Sequence, residues 1–182
     1  MVREIVKYGH PALRKKGAII TEIDDDLRQL VIDMLETMEE ANGVGLAAQQ
    51  VGVPLQLTVI DVTDIEDRPS TMSMDGKPVD LDKHMPLVLI NPELELGPEK
   101  EAGTEGCLSF PEITAPIDRS LEVKVRAIDI DGQEIEFAAT GLLARAVQHE
   151  FDHLQGVLFV DRMNTATRTS LSGKLKRLQR DG

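Results

Sequence analysis

Gln148-His149-Glu150-Phe151-Asp152-His153-Leu154 is the stretch from which the rest of the chain can be read. It contains a His-Glu-x-x-His pattern. On an α-helix His149 and His153 are four residues apart, so both imidazoles leave the same face one turn apart and can share one metal ion. Glu150 is rotated to the side of that pair, where it can serve as general base without being a ligand. The flanks predict a helix. Thr140 is placed to cap it, Leu142, Leu143, Ala146 and Val147 precede the motif, and Gly156 follows it. Apolar residues lie on both faces, which predicts a helix buried in the centre of the fold.

Working outward, 182 residues suffice for one domain with a sizeable core, and 1–182 reads as a single catalytic domain. A hydrophobic content of 41% and a charged content of 29% are ordinary for a globular protein. There is no apolar run near the ~18 residues that a transmembrane helix needs, and the N-terminus has no secretion-signal pattern. A lone cysteine, Cys107, excludes internal disulfides and points to a reducing cytoplasm. The net charge of −12 disfavours generic nucleic-acid binding, including DNA.

The charge is uneven. Residues 162–182 hold six basic side chains and one acid, giving +5 and leaving −17 on the body. This basic C-terminal helix is a candidate docking element for an anionic partner such as RNA. The alternative is an amphipathic helix packing Leu171, Leu175 and Leu178 on the body.

Elsewhere, residues 1–20 read as an extended arm with a turn at Gly9-His10-Pro11. Asp24 to Ala41 has the 3.6-residue period of a helix that ends at Asn42-Gly43. Leu55 to Asp61 reads as a strand, and Leu87 to Asn91 as a short buried strand stopped by Pro92. Leu121 to Ala138 reads as a hairpin about Asp131-Gly132. Asp61 to Met85 lacks periodicity and is expected as a long loop, with a short hairpin at Asp75-Gly76 as the variant. A single terminal helix is expected from Asn164 to Arg180. The resulting class is α+β: antiparallel strands packed around a buried central helix that carries the metal motif, plus a C-terminal helix.

Glu105-Gly106-Cys107-Leu108-Ser109 supplies a third ligand candidate. A thiolate with two imidazoles makes a three-ligand site with one position open for water. The competing reading of Cys107 is a small buried hydrophobe, with an acid as third ligand.

Together, Gly43-Val44-Gly45-Leu46-Ala47-Ala48-Gln49-Gln50, Glu105–Ser109 and Gln148–Leu154 resemble, in order, the three signature motifs of peptide deformylases. The resemblance extends through nearly the whole chain. The 61–85 segment looks longer than in the shortest bacterial members. The resemblance implies a cytoplasmic enzyme that removes the N-formyl group from the initiator methionine of nascent peptides and releases formate. It also implies one divalent metal on Cys107, His149 and His153, natively Fe(II), with Zn(II), Ni(II) or Co(II) able to replace it. Gln50 and the Leu108 backbone would form the oxyanion hole, Gly45 would bond the peptide main chain, and Arg119 would pair with Asp152. The ribosome would be a partner. Helical spacing puts Leu142 and Ala146 on the His149 face, bordering a methionine slot with Val44, and puts the charge of Arg145 at the rim.

Two other readings compete. A His-Glu-x-x-His protease takes its third ligand downstream as His or Glu, and the 29 residues after His153 contain neither. A structural-metal module needs a fourth protein ligand, and His10 and His84 are poorly placed for it.

Overall fold

The computed structural model describes residues 1–181; the last residue of the basic segment, Gly182, lies outside them. An extended arm leads into a short 3-10 turn at Pro11–Arg14, capped by the ring of His10 on the Ala12 N–H. Helix α1 spans Asp25–Glu40. Asp24 caps it through a 2.8 Å bond from the Leu27 N–H, and Asp25 and Asp26 face its positive end. Its periodic stripe Leu27, Leu30, Val31, Met34 and Met38 is buried, as the spacing predicts.

Strands β1 (Gly45–Ala47), β2 (Leu57–Ile60), β3 (Ser70–Met74) and β4 (Lys77–Pro78) follow. Next come β5 (Leu87–Leu96), β6 (Lys100–Cys107), β7 (Phe110–Ser120), β8 (Glu122–Ile128) and β9 (Glu134–Thr140). Seven of them form an antiparallel sheet in the order β1-β2-β5-β8-β9-β3-β4, while β6 and β7 make a separate ribbon. The motif helix α2, Gly141–Leu154, packs on the large sheet, burying Leu143 and Val147 against Leu89, Val125 and Phe137. Its other side meets β7, so sheet and ribbon enclose it. The chain closes with α3 (Phe159–Arg162), α4 (Thr165–Ser170) and α5 (Ser172–Asp181). The α+β architecture with a buried central helix is therefore the one observed.

Several local expectations need correction. The 61–85 segment is not a loop throughout: β3 and β4 form the Asp75-Gly76 hairpin, and β3 joins the sheet beside β9. Met72 is the one fully buried position in β3, so no alternation marks the strand. Pro92 does not end β5. The strand carries it through a bulge between Ile90 and Glu93, with Asn91 at φ +51°, where the missing N–H costs no ladder bond. The long β6–β7 ribbon was not anticipated, because its Gly and Pro content reads as loop. The terminal helix is broken at Leu171, after the Ser/Thr-rich and weakly helical stretch Thr165–Ser170.

Thr140 precedes α2, but its side chain bonds Thr71 rather than the helix end. The cap comes from β3, where Ser70 Oγ accepts the Leu143 N–H at 2.8 Å. Removing that cap by Ser70→Ala should lower the unfolding free energy by about 1 kcal/mol, read from the denaturant midpoint.

Candidate metal centre

The ribbon brings Cys107, at the end of β6, over the buried turn of α2 that carries the two histidines. The Cys107, His149 and His153 donor atoms all lie within 4.8 Å of one another. Cys107 Sγ is 3.4 Å from His153 Nε2, and the two rings sit 5.1 Å apart at 66°. His149 Nδ1 lies 2.8 Å from Glu105 Oε1, which leaves its Nε2 free to face the cysteine. Among the described residues the converging group has these three members.

A soft thiolate and two imidazoles fit a divalent transition ion with one open position. A second observation agrees: Glu150 Oε1 is buried beside the group with no hydrogen-bond partner. That is a costly arrangement unless the oxygen serves a group bound there.

The electrostatics follow from burial and pairing. Burial pushes the Glu150 carboxyl up to about 7. Burial would also raise Glu105, but hydrogen bonds from His149 and Arg119 outweigh it and bring that carboxyl down to about 2. Burial lowers His153 well below the usual imidazole range, keeping it in the neutral form a metal needs. At His149 burial works the same way, but hydrogen bonds to Cys107 and Glu105 prevail and raise it, so an ion bound there would displace a proton.

A cavity of about 450 Å³ opens onto the centre. Val44, Leu142 and Ala146 form an apolar part of its wall, and Gly45, Gln50 and Leu108 line it near Cys107, His149 and Glu150. Gly45 is required by close approach, because a Cβ there would come within 2.6 Å of Glu150 Oε2. The orientation of the Gln50 amide is fixed: Oε1 accepts the Ala47 N–H at 2.9 Å, and Nε2 points to Ser109 Oγ at 3.2 Å and Cys107 Sγ at 3.6 Å.

Glu105 is the residue whose role sequence reasoning missed. It is buried, and it binds the Arg119 fork (2.8 and 3.0 Å), Arg145 Nη1 (2.8 Å) and His149. A signal existed, because Glu105 and Cys107 are two apart on a strand and so share a face. Arg119 also makes the expected direct pair with Asp152, at 2.7 Å. Arg145 departs from expectation. Its charge does not reach the rim but is tied to Glu105, Ile117 O and Glu101 O, since a buried carboxylate outcompetes water for it.

The chain matches the family model for polypeptide deformylase over residues 2–169. A peptide deformylase of Methylacidiphilum infernorum is 48% identical over 180 residues, covering 99% of this chain and 94% of that one. Another, from Opitutus terrae, is 45% identical over 182 residues, with coverages of 98% and 93%. The crystal structure of a peptide deformylase from Legionella pneumophila aligns with a TM-score of 0.83 at 36% identity, covering 99% of this chain and 96% of that one. One from Synechococcus elongatus, in complex with actinonin, aligns at 0.80 with 39% identity and coverages of 94% and 85%.

Because Glu105 holds the ring of His149, a candidate ligand, Glu105→Gln should weaken metal binding by roughly 10- to 100-fold in chelator competition. Unchanged affinity would separate Glu105 from the metal.

Proposed function

The chain belongs to the polypeptide deformylase family, and we propose that its Cys107, His149 and His153 hold one divalent metal beside a proton-transferring Glu150. The reaction is metal-dependent hydrolysis of the N-formyl group from the N-terminal methionine of new polypeptides, with release of formate. The observation that carries the site assignment is the convergence of the three donors beside an unpartnered, buried Glu150 oxygen.

The metal is natively Fe(II) in this reading, with Zn(II), Ni(II) or Co(II) as substitutes in purified protein. When bound, the ion polarises the attacking water and the formyl oxygen. Glu150, with its carboxyl near neutrality, takes a proton from that water. The water oxygen attacks the formyl carbon, the carbon–nitrogen bond breaks, and Glu150 returns the proton to the departing amine. The Gln50 Nε2–H, aimed by its anchored amide, and the Leu108 backbone N–H receive the charge that develops on the formyl oxygen.

The peptide enters as a strand along the free side of β1, an edge of the sheet, where the Gly45 backbone bonds its main chain. The methionine side chain fills the slot walled by Val44, Leu142 and Ala146.

Residues 1–182 serve as a single catalytic domain in the cytoplasm; no helix among the described residues is long and apolar enough to cross a membrane. The basic segment does two things at once. Leu175 is buried, and Leu171 and Leu178 pack on the same cluster. Lys174, Lys176, Arg177 and Arg180 remain exposed, and this face is the proposed contact with the ribosome. DNA is not a partner in this reading.

Glu150→Ala should cut turnover of formyl-Met-Ala by about 10²-fold or more while the metal stays bound. A variant that keeps wild-type turnover would remove Glu150 from its role. Replacing Lys174, Lys176, Arg177 and Arg180 with Ala should weaken ribosome binding and its salt dependence, leaving dipeptide turnover intact. Equal ribosome affinity would reject the docking face.

A further inference from the structure

The four-residue helix α3 is pinned in place by Asp161. Its carboxylate accepts the Leu158 N–H at 2.9 Å and both terminal nitrogens of Arg14, at 2.5 and 3.2 Å. From there α3 reaches His149 by two routes. The Phe159 ring lies 5.9 Å from the imidazole and packs edge-on against Phe110 at 4.8 Å. Arg162 binds both oxygens of Asp152, with Nε 3.1 Å from Oδ2 and Nη2 3.0 Å from Oδ1.

Asp152 Oδ2 also accepts Arg119 Nη1 at 2.7 Å. The other two nitrogens of Arg119 hold Glu105 at 2.8 and 3.0 Å, and Glu105 Oε1 meets His149 Nδ1 at 2.8 Å. An unbroken relay thus runs from Arg162, half-exposed at the edge of the basic segment, to the ligand ring. Every intermediate member is buried.

We infer that Arg162 is a positioning residue for the metal centre: by neutralising Asp152 it leaves Arg119 committed to Glu105, and Glu105 turned to His149 Nδ1. Arg119 has to serve two buried carboxylates. A buried carboxylate without sufficient counter-charge is strongly unfavourable, so loss of Arg162 draws the Arg119 fork toward Asp152. Glu105 then keeps Arg145 but loses part of its alignment on His149. A ligand histidine whose second nitrogen is poorly held binds metal less firmly. The inference rests on the assignment of Cys107, His149 and His153 as ligands.

The test uses the full-length protein loaded with Co(II). The variants Arg162→Met and Arg162→Lys are each made alone and with Glu105→Gln. The rate of Co(II) loss to a chelator and the visible absorption of the bound ion are recorded. Arg162→Met should lose Co(II) about 10-fold faster and shift the visible band, and Arg162→Lys should recover part of both. In the Glu105→Gln background Arg162→Met should add less than about two-fold, since the relay is already cut.

Wild-type Co(II) retention and spectrum in Arg162→Met would overturn the inference. So would an equal factor in both backgrounds, which would mark a general structural effect. If Cys107→Ser left Co(II) binding and its spectrum unchanged, the ligand assignment would fall, and the relay with it.

Discussion

The structure depends on the buried carboxylate of Glu105. It receives Arg119 from β7, Arg145 from α2 and His149 from the motif, joining the ribbon to the central helix at one point. Isolated, such a charge would be too costly to bury, and even a good ion pair in an apolar interior roughly offsets its desolvation. Here one acid meets two guanidiniums and an imidazole, and the hydrogen bonds from His149 and Arg119 outweigh burial and hold it well below the usual carboxylate range. The gain is geometric as much as energetic, because planar forks fix the acid's orientation and the acid fixes the ring.

A helix enclosed between sheet and ribbon also needs polar partners for side chains that would otherwise face solvent. Gln148 shows how this is met. Its Oε1 accepts the Ser120 N–H at 3.0 Å, and its Nε2 donates to Ser120 O and Ala144 O, both at 2.9 Å. The amide behaves as an extra peptide unit that ties the end of β7 to α2. Asp152 is satisfied by its two arginines. Glu150 is the contrast: one of its oxygens is left without a partner next to the three donors, and burial lifts its carboxyl towards neutrality. That freedom suits the proton transfer proposed for it, since a group that exchanges a proton must not be locked in an ion pair.

Much of this was legible in the chain. The i, i+4 histidines, the adjacent glutamate and the lone cysteine have chemistry that depends on residue type and helical period, which are local properties. The stripe of α1 and its Asp24 cap are local too. The role of Glu105 was only half legible: strand period puts it on the side of Cys107, but β6 itself was hidden by its glycines and its partner β7 by its prolines. Arg145 was misplaced because helical spacing gives the face a side chain leaves from, not the acceptor it finds. Gly103 lets its guanidinium lie over β6, since a Cβ there would meet it at 2.7 Å.

The sequence by itself determined the pair of candidate histidine donors, the helix that presents them, and the α+β class, because these follow from residue chemistry and short-range periodicity. Only the tertiary structure decided which carboxylate orients His149, that Ser70 rather than Thr140 caps α2, and that Arg162 closes the pairing around Asp152. Those choices pair residues tens of positions apart in the case of Glu105 and Ser70, and ten apart across a turn for Arg162. Such partners are selected by competition among buried groups for a limited number of donors, which no local window of sequence contains.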